Sequence, residues 1–185
     1  MHGKHSSKIV VLTILFLLSA SMLFSSDTRQ DGITFRFLHE VHVDSSFYSE
    51  YRAPGTSTKI TEVQFGNPGT YRFATLVIGY NKSITFSSIS LSFGPLLHNM
   101  IEDAYYDYSM QVFDPGFNSV LTEVIPDNNI GHGAGSVVFP NVTLLKPANS
   151  GLVVEKELVD FEITLDDLEA MPGTYSGNII CVFTK

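Results

Sequence analysis

The run Pro172-Gly173-Thr174-Tyr175-Ser176-Gly177-Asn178-Ile179-Ile180-Cys181-Val182-Phe183-Thr184 decides the fold class of this chain. Its first two residues suit the centre of a tight turn, where a proline fixes one φ and a glycine accepts a positive one. The remaining residues read as a strand. Tyr175, Ile179, Cys181 and Phe183 fall on one face at period two, with Ile180 and Val182 on the other. Both faces are apolar, so the strand is expected inside a sheet rather than at its edge.

The same four residues that open this run, Pro-Gly-Thr-Tyr, occur once more, at Pro68-Gly69-Thr70-Tyr71, again ahead of a strand-like run. Working outward, runs rich in Val, Ile, Thr, Phe and Tyr recur between turn residues, at 33–43, 58–65, 71–80, 84–93, 106–113, 119–125, 136–145, 152–165 and 175–184. The separators have turn chemistry, among them Ala53-Pro54-Gly55, Asp114-Pro115-Gly116 and Pro126-Asp127-Asn128-Asn129. In the first run Ile33, Phe35 and Phe37 alternate with Thr34 and Arg36, which fixes the buried side. About eight or nine strands with regular turns predict an all-β chain folded as an antiparallel β-sandwich of the immunoglobulin-like kind. In such sandwiches a tyrosine at the start of a late strand can hydrogen-bond back across the preceding corner. Pro172, Gly173 and Tyr175 are the candidates for that structural corner, and Tyr71 is the weaker one.

One segment departs from period two. Leu96, Leu97, Met100, Ile101, Ala104, Tyr105 and Tyr108 have helical spacing. A loop or short helix is expected near 96–103.

The N-terminus carries Lys4 and Lys8, then the apolar run Ile9 to Phe24, then small residues including Ser25 and Ser26. That is the pattern of an export signal, with cleavage expected between about Ser21 and Asp27. Residues 1–26 are therefore assigned to the signal and 27–185 to one β-sandwich domain. The alternative is an uncleaved anchor, although the run is somewhat short for a span of roughly 20 residues. The expected location is extracytoplasmic: periplasm, cell surface or secreted. After cleavage no membrane association is expected.

Nineteen acidic residues face eleven basic ones. A negative chain of this kind is a poor partner for nucleic acid. Cys181 is the only cysteine, so no intrachain disulfide can form. An exported domain without disulfides fits a bacterial envelope better than a small eukaryotic secreted domain. Within a core strand, Cys181 reads as a small buried hydrophobe.

The stretch 159–185, with Phe161-Glu162-Ile163-Thr164-Leu165, an acidic corner and the closing Pro-Gly-Thr-Tyr strand, resembles the end of bacterial exported immunoglobulin-like surface proteins of the spore-coat-U-like or pilin-like kind. The resemblance implies a subunit that associates with other surface subunits. If strands were exchanged between subunits, residues 27–37 would be the donor segment.

No catalytic motif emerges. His39-Glu40-Val41-His42 places two histidines on opposite sides of a strand, which cannot grip one ion. Asp127-Asn128-Asn129-Ile130-Gly131 lacks the later ligands of a calcium loop. Gly131 to Gly135 is followed by no lysine-bearing helix that would cradle phosphate. No metal and no cofactor are expected. The one feature suggesting recognition is aromatic: Tyr48 and Tyr51 lie in the polar stretch 44–52, and Tyr105 and Tyr106 stand among acids. Such rings can stack on a glycan or anchor a protein partner. The competing reading is core packing beneath loops. These residues predict a non-enzymatic structural or adhesive envelope protein, with a ligand-binding module, for example one for carbohydrate, as the alternative.

Overall fold

A computed structural model describes residues 32–40, 45–116, 118–124, 135–165 and 171–185. The export signal assigned to 1–26 lies outside them. Period-two patterning becomes strands almost throughout. In chain order they are β1 (Gly32–Glu40), β2 (Phe47–Arg52), β3 (Lys59–Ile60), β4 (Glu62–Phe65), β5 (Gly69–Tyr80), β6 (Ile84–Phe93) and β7 (Leu96–His98). Then come β8 (Tyr105–Tyr106), β9 (Tyr108–Phe113), β10 (Val120–Val124), β11 (Gly135–Leu144), β12 (Val154–Leu165) and β13 (Thr174–Thr184).

Two sheets form. One runs β11-β6-β13-β1-β4, with β7 also paired to β13 and β8 to β7; the other runs β10-β9-β12-β5-β2-β3. The strand from the closing run, β13, sits between β6 and β1, as its two apolar faces require. Its pairing with β6 is antiparallel, but its pairing with β1 is parallel, in register from Gly32 opposite Thr174 to Glu40 opposite Val182. The position beside the last strand is thus filled by β1 of the same chain.

Side chains from both inner faces fill the space between the sheets. Ile33, Phe35 and Phe37 of β1 are buried while Arg36 and Leu38 are exposed, matching the alternation of the sequence. Tyr175, Ile179, Cys181 and Phe183 of β13 are buried as well. Opposite them stand Tyr51, Phe73, Leu76, Ile78 and Phe161. Phe37 stacks on Tyr51 with ring centroids 4.2 Å apart, and Phe35 meets Tyr108 edge-on at 5.1 Å. Each large side chain so buried contributes about 1.5–3 kcal/mol relative to exposure.

The architecture is the expected all-β sandwich, with differences in detail. There are thirteen strands among the described residues rather than about nine. Some expected runs divide into short pieces, such as β3 and β4. The stretch 47–52, expected as loop, is β2, because Phe47 and Tyr51 alternate inward under polar neighbours. Where a loop or short helix was expected near 96–103, the chain forms β7 and then a turn. Leu96 is buried and Leu97 exposed, so strand alternation prevails over helical spacing.

The two Pro-Gly-Thr-Tyr phrases build the same corner twice. Tyr175 Oη donates to the Met171 carbonyl at 2.5 Å, and Tyr71 Oη donates to the Asn67 carbonyl at 2.9 Å, each reaching four residues back. The first copy leads into β5 of one sheet and the second into β13 of the other. The glycines have φ of 152° and 159°, well beyond the value of a type II turn. Both are backbone conformations that side-chain-bearing residues rarely adopt, and at Gly173 space adds a second requirement, because a Cβ there would lie 2.1 Å from His98 Nε2.

A candidate recognition face on the outer side of one sheet

Alternation along β2 sends Tyr48, Glu50 and Arg52 outward. In register, Tyr48 is opposite Gly79 of β5, and Gly79 is opposite Glu155 of β12. The Tyr48 ring crosses the glycine and its hydroxyl donates to Glu155 Oε1 at 2.6 Å. Gly79 makes this crossing possible, since a Cβ there would stand 2.2 Å from Tyr48 Cε1 and Cζ.

Arg52 completes the arrangement. Its Nη1 and Nη2 donate to Glu155 Oε2 and Oε1 at 2.9 and 2.7 Å, a bidentate bridge across the middle strand. Its Nε also donates to Glu50 Oε1 at 2.6 Å, and Lys59 Nζ lies 3.9 Å from Glu50 Oε2. The Arg52 and Tyr48 hydrogen bonds hold the Glu155 carboxyl down at about 2, while the guanidinium pKa is raised by its bonds to Glu155 and Glu50. The Tyr48 phenol is pushed up, chiefly by its bond to Glu155. Tyr48 remains 40% exposed, so its ring is fixed in place yet open to solvent.

The same outer face carries a buried carboxylate nearby. Asp160 is 2% exposed; Thr75 Oγ1 donates to its Oδ1, and the Gly116 amide donates to Oδ2 at 2.6 Å. Those bonds dock the turn after β9 onto the sheet, a structural task. At the neighbouring corner, His39 Nδ1 lies 2.9 Å from Ser49 Oγ. Burial, then the Lys59 charge, lowers the His39 pKa, against the opposing pull of Glu50.

The four tyrosines singled out from sequence separate into two kinds. Tyr48 is exposed and Tyr105 half-buried, whereas Tyr51 and Tyr106 are fully buried. Neither buried ring offers a face to a ligand. Tyr51 points inward because it shares the face of Phe47, and Tyr106 packs edge-on against Tyr175 at 5.3 Å. For both, core packing is the role. Pro172, Gly173 and Tyr175 form the expected corner. Cys181 is a buried free thiol, its pKa raised by burial to about 12. The Asp127–Gly131 segment, His42 and His132 lie outside the described residues. Among the described residues, no group of three His, Cys, Asp or Glu side chains is placed to hold a metal ion.

Sequence reading missed Arg52 and Glu155 because 103 positions separate them. A signal was present in the alternation Tyr48, Glu50, Arg52 and in a lone glycine near the end of the apolar run 73–80. The sequence matches no family model and no curated protein.

Proposed function

We propose that this chain is a non-enzymatic, extracytoplasmic β-sandwich acting as an adhesive or structural component of a bacterial envelope. The observation that carries the reading is the Tyr48 face: an exposed aromatic ring positioned over Gly79 and locked by the Glu155–Arg52 bridge. Rigid aromatics flanked by charge are effective recognition groups, because little side-chain entropy remains to be lost on binding. The N-terminal export pattern supports a location outside the cytoplasm.

The same ring favours a second reading, a carbohydrate-binding module in which Tyr48 stacks on a sugar. Two measurements separate the readings. Denaturant-resistant ladders or fibres in native sizing would favour the structural subunit. A glycan-array signal that disappears in Tyr48→Ala would favour the carbohydrate module. A monomer that binds neither glycans nor envelope material would sink both.

A further inference from the structure

We propose that the end of the sandwich bearing Met100 and Ile101 rests on a lipid bilayer, with the apolar run 9–24 retained as its tether. This rests on the exported location and takes the uncleaved alternative for the N-terminal run in place of the cleavage expected from its sequence; it goes beyond the adhesive reading by fixing which way the domain faces.

The turn between β7 and β8 displays Met100, 90% exposed, and Ile101; Leu97 of β7 and Met171, two residues before Gly173, are exposed as well. The turn is held firmly. His98 Nδ1 accepts from the Met100 and Ile101 amides, each at 3.0 Å, and the His98 amide donates to the Ala104 carbonyl at 2.8 Å. The Asn99 amide donates to the Thr174 carbonyl, and Ser176 Oγ donates to Asn99 Oδ1 at 2.7 Å. Apolar side chains are therefore presented to water by a braced turn.

The occupant follows from where the chain enters. The Gly32 amide donates to the Gly173 carbonyl at 3.0 Å, so β1 begins at this same corner. Residues 25–31 separate it from the apolar run 9–24. Fully extended, that linker reaches at most about 25 Å. The opposite end of the domain also exposes apolar residues, Leu145 and Leu152. It lies a full strand away, and the 11 residues of β13 span roughly 36 Å. A bilayer holding the apolar run therefore faces the Met100 end. Exposed Glu102 and Asp103 beside the tip disfavour anionic lipid and point to a zwitterionic surface.

The full chain reconstituted in phosphatidylcholine vesicles tests the proposal. Because Cys181 is buried, a thiol-reactive, polarity-sensitive dye can be directed to Met100→Cys or, as a control, to Leu152→Cys. The expected result is a blue shift and quenching by lipid-borne spin labels at position 100, at least several-fold stronger than at 152. Equal quenching at both sites, or none at 100, overturns it. Intact mass of the envelope-associated protein provides the second readout. Loss of residues 1–26 in an exported protein would overturn the tether while leaving the adhesive reading in place.

Discussion

Tyr175 donates its hydroxyl to the backbone carbonyl of Met171, four residues upstream, from a ring that is wholly buried. Tyr71 repeats the bond to Asn67 from a half-buried ring. Tyr175→Phe is expected to cost about 1–2 kcal/mol, because a hydrogen bond made from a fully buried ring is lost. Tyr71→Phe should cost less than half of that. Urea midpoints of the two variants test the ranking, and equal losses would contradict it.

Gly79 and Tyr48 should be strongly coupled. A methyl at position 79 collides with the ring, so Gly79→Ala is expected to lose about 1–2 kcal/mol and to release Tyr48 from Glu155. In a Tyr48→Ala background the same change should be neutral or slightly stabilising, since glycine weakens a strand interior. A double-mutant cycle measures this. Additive effects would mean that the ring does not need the glycine.

Tyr51 carries a polar group in an apolar place. Its hydroxyl is buried and lacks a hydrogen-bond partner among the described residues, and burial, with Cys181 nearby, pushes its pKa well up. Tyr51→Phe keeps the stack on Phe37 and removes an unsatisfied polar group, so it should stabilise the fold by about 1 kcal/mol. A lowered melting temperature would show that the hydroxyl has a role the geometry does not reveal.

Acid should weaken the domain in two steps. His39 has a folded pKa below its ordinary 6.5, so the unfolded chain takes up that proton first and stability declines as pH falls below about 6.5. Glu155 is held at about 2 against an ordinary 4.5; its contribution is present above 4.5 and is lost as pH falls from there towards 2. Glu155 is 45% exposed, so solvent screening limits the second step to below about 1 kcal/mol. Urea titrations from pH 8 to 3 should show the upper step missing in His39→Gln and the lower one missing in Glu155→Gln. Unchanged profiles would rule out these assignments.

The fold was legible where alternation is strict and long, as in 33–37 and 175–183, since a slip of one residue there would expose every phenylalanine of the face. It was less legible at 47–52, where polar outward residues disguise a strand, and at 96–103, where Leu96 and Leu97 fit both periods. The candidate recognition face was half visible. Tyr48 could be named from its neighbours, but nothing local distinguishes it from Tyr51 except register. The partners that hold it, Arg52 and Glu155, meet only because β5 brings β2 and β12 to its two sides.

The parallel register of β1 and β13 has a mechanical consequence. The chain enters β1 at Gly32, beside Thr174, and leaves β13 at the other end of the sandwich. Tension applied between the start of β1 and the end of β13 therefore slides the two strands lengthwise past one another. The ladder from Gly32–Thr174 to Glu40–Val182 is loaded in shear, with its bonds sharing the force, rather than being peeled one bond at a time. Pulled in that direction, the domain would hold until the ladder fails as a unit.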